Sequence, residues 1–297
     1  MAIGYAMLVP MAKILECKQV KEEVKKHLKS VISNNELKIT LAIIQVGERD
    51  DSNAYIEHKK KFGKEIGVTV EHIKIPERTS EEEILHHIER INADEKIYGV
   101  ILQLPLPDYL DKERILQAID PRKDVDGLTP ENRARLYSNQ EGFVPATARG
   151  VVKLLDYYDE ELEGKSVLVI GRSFLAGRPI AMSLLNRNMT VTVAHSYSEN
   201  LEKIAQKADY LVVAAGVPEM VTKDFVHKDQ VVIDVGIHSK LSPKGELEVK
   251  GKRYTGDVNF DDVENIVRAI SPVPGGVGQL TIACLFENLL DAFKKQL

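Results

Sequence analysis

The 297-residue sequence has no tryptophan and only two cysteines, Cys17 and Cys284. Two cysteines are too few for a disulfide framework, and their spacing is not that of metal ligands, so no disulfide scaffold and no metal centre is expected. The pattern fits a reducing cytoplasm. No apolar run approaches the length that spans a bilayer, so no membrane-crossing helix is expected. A strong charge imbalance is also missing: the net charge is −5 and the pI is near 6.0. This excludes a global attraction to nucleic acid or to an anionic membrane and leaves room for a local basic pocket that takes a small anion. The opening MAIGYAMLVP is apolar but has no basic n-region, so no signal peptide is expected there. Patterned sequence begins at Met11. The first ten residues are expected to be an upstream start or an added extension, dispensable for folding.

What is present is a chain long enough for two domains, with an ordinary globular composition of 43% hydrophobic and 29% charged residues. Val20, Val24, Leu28, Val31 and Ile32 recur at helical spacing and predict an amphipathic helix over 18–33. Ile39–Val46, ITLAIIQV, reads as a buried strand. A polar turn follows, and Asp51 or Ser52 is expected to cap a helix ending at Gly67. Val68–Ile75 alternates as a strand. Ser80 and Glu83 form a capping box for a helix with Ile84, Leu85, Ile88 and Ile91 on its apolar face. Ile97–Leu102 is another buried strand, closed by Gln103 and Leu104-Pro-Leu-Pro107. Strands alternating with helices imply a mostly parallel sheet. After a charged loop over 120–128, a helix over 148–158 is expected to cross between domains. The alternation then resumes with strands at Val167–Ile170, Val191–Ala194, Tyr210–Ala214 and Val231–Val235. Glu246–Arg253 reads as a small hairpin arm. Leu280–Phe293 reads as an amphipathic helix able to return to the first domain.

The stretch SVLVIGRSFLAGR, Ser166–Arg178, reads as a strand, a glycine turn and a helix start, with Ile180, Ala181, Leu184 and Leu185 along one side of that helix. This is the order of a dinucleotide-binding βα unit, where glycines let the backbone approach phosphate and free N–H groups at the helix start face it. The usual G-x-G-x-x-G is missing, since Ser173 stands at the second glycine, and an ordinary strand followed by a helix reads the same way. In domains that bind NAD, a carboxylate ends the second strand and accepts from the ribose. Here that strand runs into His195-Ser196-Tyr197-Ser198. Arg172, Ser173, His195 and Ser196 instead offer donors for a phosphate monoester, which favours NADP over NAD. In the first domain, ligands are expected at the carboxyl ends of strands. That rule selects Lys59, which shares a helix face with Tyr55, then Gln103, Asp124 and Asp126. Each also has a plain structural reading: a solvated lysine in a basic run, a strand-ending hydrogen bonder, turn-forming aspartates. Finally, 271–281 holds two prolines and three glycines before a helix start, a rigid loop able to line a cleft or to act as a hinge.

SNAYIEHKKKFGKEIGV, GVILQLPLP, DPRKDVDGL, GRSFLAGRP, VVIDVGI, GDVNF and SPVPGGVGQLT together, in this order, resemble the bifunctional methylenetetrahydrofolate dehydrogenase/methenyltetrahydrofolate cyclohydrolases. The resemblance implies a two-domain α/β fold with a folate cleft between the domains. The catalytic domain would comprise 11–147 completed by the C-terminal helix, 279–297, and a Rossmann-like NADP-binding domain would be inserted at 148–278. It implies Lys59 as the catalytic lysine, Gln103 to position it, Tyr55 to stack on folate and Asp126 to hold the pterin, with Pro274, Gly275 and Gly276 also at the substrate. The implied cofactor contacts are Gly171, Arg172, Ser173, Gly177, Arg178, His195, Ser196, Ala215, Gly216 and Ile237. Tetrahydrofolate derivatives are the implied substrates, NADP the cofactor and a homodimer the assembly, with no metal, nucleic acid or membrane partner. The sequence departs from the family pattern at Ala146, Ala148 and Gln279. A monofunctional dehydrogenase, or a folate- or nucleotide-binding protein without turnover, are the alternatives. The joint presence of Tyr55, Lys59, Gln103 and Asp126 argues against the last.

Overall fold

The structure, a computed structural model, describes residues 12–240 and 253–296. The first ten residues and most of the expected arm at 246–253 lie outside the described residues. In chain order the elements are β1 (Lys13–Ile14), α1 (Cys17–Asn34), β2 (Thr40–Val46), α2 (Asp50–Ile66), β3 (Thr69–Ile75), α3 (Glu81–Ala93) and β4 (Ile97–Leu102). Then come α4 (Lys112–Ala118), α5 (Pro130–Tyr137), α6 (Ala146–Tyr157), β5 (Ser166–Ile170), α7 (Gly177–Leu185) and β6 (Thr190–Ala194). The remainder is α8 (Leu201–Ala205), β7 (Tyr210–Val213), β8 (Val231–Asp234), β9 (His238–Lys240), β10 (Arg253–Thr255), α9 (Phe260–Val263), β11 (Ala269–Ile270) and α10 (Leu280–Lys295).

These elements form two compact units, one made of 19–150 and 279 onward, the other of the residues up to 18 and 151–278. The division differs from the expected one in two places. The changeover lies inside α6, between Gly150 and Val151, and residues 12–18 belong to the second unit. The reason is β1: Lys13 and Ile14 pair in parallel with Ala269 and Ile270 of β11, as an edge strand of the second unit's sheet.

The first unit is built on a parallel sheet in the order β3-β2-β4. Nearly every residue of β2 and β4 is buried, as their apolar runs require when helices cover both faces. β3, at the edge, keeps the alternation of a half-exposed strand. α10 closes this unit: Phe286 packs on Phe62 of α2, and Phe293 meets Tyr98 of β4 edge-on. Gly99 makes the approach possible, because a Cβ there would collide with Leu289 and Val125. The caps are partly as read. Ser80 accepts from the Glu83 N–H, and Gly67 ends α2 with φ +89°. The expected cap position is shifted: α2 starts at Asp50, Arg49 holds the cap position without a side-chain capping bond, and Ser52 is buried inside the first turn. α4 and α5, capped by Asp111 and Thr129, fall in the stretch with no clear apolar period.

The second unit carries a parallel sheet in the order β1-β11-β8-β7-β5-β6 and a separate antiparallel pair, β9 with β10. β5, β7 and β8 are buried almost throughout, while β6, at the edge, is largely exposed. In α7, Ile180, Ala181 and Leu184 are buried as expected, but Leu185 is half exposed. Five residues past Ile180 is about 140° around the helix, off the buried face.

Candidate functional site

In the first unit, β4 ends at Leu102, and the Gln103 N–H continues the ladder by donating to the Ile44 carbonyl at 2.8 Å. Its side chain therefore stands at the carboxyl end of the sheet. There Gln103 Oε1 accepts from Lys59 Nζ at 3.0 Å, while its Nε2 donates to the Leu104 carbonyl at 2.9 Å. Both ends of the amide are engaged, so the oxygen is held toward the lysine. Burial lowers the Lys59 pKa below its ordinary 10.5, and the Asp126 charge works in the opposite sense. Burial raises the Asp126 carboxyl, with Lys59 opposing and Asp124 adding to the rise. Two groups whose surroundings push each toward neutrality, in mutual attraction, are the pairing expected of a proton-handling site. Tyr55, one turn before Lys59 on α2, leaves 48% of its surface exposed. Lys60, the next residue, instead forms an exposed ion pair with Glu57 at 2.7 Å.

The two aspartates of the 120–128 loop have different tasks. Asp124 is buried and accepts from the Leu128 and Thr129 N–H groups and from Asn132 Nδ2, at 2.8–3.1 Å. It shapes the turn that presents Asp126. Asn288 of α10, fully buried, donates to the carbonyls of Val125 and Val144 and accepts from Arg149. So the C-terminal helix holds the residue just before Asp126. A second buried polar group, Gln45 on β2, donates to Asn53 Oδ1 of α2 at 2.9 Å and accepts from His72 Nε2 of β3 at 2.7 Å. Burial lowers the His72 pKa, and repulsion from Lys60 and Lys74 adds to this. Neither Asn288 nor Gln45 was selected from sequence. The only signal was an amide inside an otherwise apolar pattern.

In the second unit, the turn after β5 is shaped by close backbone approach. Gly171 has φ +120°, and a Cβ there would strike the Ala214 carbonyl; one on Gly177 would strike the Gly171 carbonyl. Ser173 Oγ accepts from the Gly177 N–H at 3.2 Å and fixes the turn into α7. Arg172, Ser173 and Arg178 are exposed, and the Arg172 guanidinium lies over the Tyr197 ring at 5.7 Å. The 195–198 turn is closed by the His195 N–H donating to Ser198 Oγ at 3.0 Å, and the Tyr197 N–H donates to His195 Nδ1. Arg172 and the turn after β6 thus meet, as the NADP reading requires, and Ser196 on that turn is exposed. Ile237 is 51% exposed. The Ala215 and Gly216 N–H groups point inward to Asp257 Oδ2, at 2.7 and 2.9 Å, and so are not the groups offered to a ligand. Asp234 is buried at the end of β8, and burial pushes its carboxyl up to about 7 against the N–H groups of Val258, Asp257 and Gly236, which favour its charge. Pro274, Gly275 and Gly276 lie in a tight turn in which the Gly275 carbonyl accepts from the Cys17 N–H at 2.9 Å. Among the described residues no cluster suited to a metal ion is found.

Residues 15–126 match the family model described as tetrahydrofolate dehydrogenase/cyclohydrolase, catalytic domain, and residues 145–297 match that for its NAD(P)-binding domain. The chain is 42% identical over 290 residues to the bifunctional protein FolD of Lachnoclostridium phytofermentans, covering 96% of this chain and 99% of the relative. It is 42% identical over 278 residues to that of Enterococcus faecalis, covering 94% and 95%. Among solved structures, the bifunctional enzyme FolD-methylenetetrahydrofolate dehydrogenase/cyclohydrolase of Campylobacter jejuni aligns with TM-score 0.90 and 36% identity, over 96% of this chain and 100% of that one. The Trypanosoma brucei methylenetetrahydrofolate dehydrogenase-cyclohydrolase, complexed with NADP cofactor and inhibitor, aligns with TM-score 0.89 and 34% identity, over 96% and 98%. With both domains matched and the relatives covered almost end to end, the chain belongs to the tetrahydrofolate dehydrogenase/cyclohydrolase family.

Proposed function

We infer that the protein oxidises 5,10-methylenetetrahydrofolate to 5,10-methenyltetrahydrofolate with NADP and then hydrolyses it to 10-formyltetrahydrofolate. The observation that carries the site assignment is the Lys59–Gln103 bond at 3.0 Å beside the Asp126 charge, at the carboxyl end of the first unit's sheet. NADP, when bound, accepts the hydride that leaves the folate methylene carbon. The residues after β5 fit such a group: a turn bared by Gly171 and Gly177, a helix start at α7 and the exposed cation Arg172, which lies over Tyr197 in the turn that also carries Ser196. The absence of a carboxylate from 195–198 fits a 2′-phosphate better than a free ribose hydroxyl. Gly171, Arg172, Ser173, Gly177, Arg178, His195 and Ser196 form this side of the cofactor site, with Ala215, Gly216 and Ile237 on the other.

Hydrolysis is where the chain's own groups move protons. Water adds to the methenyl carbon and gives a proton to the Lys59 amine, whose pKa burial lowers from its ordinary value. As the bond from that carbon to N5 breaks, N5 takes a proton and the formyl group stays on N10. One proton leaves to solvent, balancing the positive charge of the methenyl substrate. Gln103 fixes the direction of the lysine, Asp126 holds the pterin ring, and Tyr55 offers an exposed face for stacking, with Pro274, Gly275 and Gly276 also at the substrate. On the same reading the enzyme is a cytoplasmic homodimer whose formyl product serves purine biosynthesis. The open edge of the second unit's sheet, with Val193 39% exposed, supports a self-pairing surface, and light scattering tests it. The reaction is tested by following methenyl absorbance with and without NADP+. Formation from methylenetetrahydrofolate only with NADP+, and decay of supplied methenyl without it, are expected. Absence of both would refute the reading.

A further inference from the structure

The segments expected around the cofactor in the second unit converge on one buried carboxylate. Asp257, fully buried, accepts from the Ala215 and Gly216 N–H groups through Oδ2, and from His238 Nε2 at 2.7 Å through Oδ1. Gly216 has φ +72°, so the turn needs both a glycine and this acceptor to keep its shape. The Asp257 N–H donates in turn to Asp234 Oδ1 at 3.0 Å, the oxygen that also takes the Gly236 N–H at 2.9 Å. The Asp234 N–H donates to Ser271 Oγ at 2.8 Å, which brings in the loop leading to Pro274. Gly236 and Gly256 lie where a Cβ would strike Asp257 and Asp234 respectively, so the carboxylates fill the space of the missing side chains.

We propose that Asp257 is a positioning residue for the cofactor: one carboxylate locks the 215–216 turn and the segment carrying Ile237 and His238 into a single surface. This rests on the reading that Ala215, Gly216 and Ile237 face NADP. Every group bonded to the Asp257 side-chain oxygens is a donor, so an amide in its place would turn its own N–H groups against the turn or against His238. Either way one arm of the lock opens, and the surface loses its shape without the loss of any group that touches folate.

The test is Asp257→Asn with His238→Gln, measured in three assays. Direct NADP+ titration should weaken by about tenfold or more for Asp257→Asn, since the charge behind all three bonds to the carboxylate is lost, and by a smaller factor for His238→Gln. The KM for NADP+ in the dehydrogenase assay should rise in parallel, with kcat and the KM for methylenetetrahydrofolate little changed. Hydrolysis of supplied methenyltetrahydrofolate, which uses no NADP+, should stay at the unaltered rate and shows that the protein is folded. Unchanged NADP+ binding in a folded Asp257→Asn protein overturns the proposal. Where that variant does not fold, unchanged binding by His238→Gln overturns it. If the unaltered protein itself does not bind NADP+, it is the functional reading that fails.

Discussion

Lys59→Met separates the proposed chemistry from a structural role. Methionine keeps the length of the stem and removes the amine, so the bond to Gln103 and the attraction to Asp126 are lost together. Loss of general acid–base help typically costs about 10²–10⁴-fold, or roughly 3–5 kcal/mol of barrier at 1.36 kcal/mol per decade. Cyclohydrolase activity should fall by that factor, while hydride transfer, which depends on placement of the reacting carbon, should fall less. Lys60→Met is the control, because Lys60 lies in an exposed ion pair with Glu57; both activities should stay near normal. Gln103→Ala, removing one charge-assisted bond, should reduce hydrolysis by about tenfold to hundredfold. The sign of the pH effect follows from burial. The folded-state pKa of Lys59 lies below the unfolded value of 10.5, so the unfolded chain binds the extra proton between the two and stability increases as pH rises through that window. Lys59→Met should flatten that slope. Asp126→Asn removes the charge that favours the ammonium, so the limb of the hydrolysis pH profile assigned to Lys59 should move to lower pH. The assays follow methenyl decay and NADPH formation side by side. A Lys59→Met protein that hydrolyses at the normal rate, or that matches Lys60→Met, refutes the reasoning.

Arg172→Ala should raise the KM for NADP+ by about tenfold or more while leaving that for NAD+ nearly unchanged; equal use of both cofactors by the unaltered protein would contradict this. His72, held below 6.5 by burial, is bonded to Gln45 and surrounded by Lys60, Lys74, Glu57 and Glu48. The unfolded chain takes the proton first, so stability falls as pH drops below about 6.5, and His72→Gln should reduce that loss. Melting curves of equal acid sensitivity would remove His72 from the account. Asn288→Ala leaves the Val125 and Val144 carbonyls without their donor, at about 1–3 kcal/mol for each unsatisfied buried group. A clear drop in melting temperature is expected, with slower hydrolysis because the residue before Asp126 is released. An unchanged melting temperature would show that the loop is held by other means.

The sequence by itself determined the alternation of strands and helices, because burial of a parallel strand on both faces demands mostly apolar stretches such as Ile39–Val46 and Val231–Val235, and these are visible without any partner. It likewise marked the Ser80 cap, the Gly67 stop and the glycine turn at Gly171, where backbone geometry restricts the residue type locally. Only the tertiary structure decided which unit holds residues 12–18, since a two-residue strand carries no pattern and is defined by its pairing with β11. The same is true of the division of labour in the 120–128 loop. Asp124 and Asp126 are alike in sequence, and hydrogen bonds to Leu128, Thr129 and Asn132 distinguish them. Lys59 and Lys60 are adjacent in one basic run, yet one helical step turns the first toward Gln103 and the second toward Glu57. Gln45, Asn288 and Asp257 act through partners between 8 and 163 positions away. A polar side chain takes its role from the donors and acceptors the fold brings to it, and those are fixed by packing rather than by its neighbours in the chain.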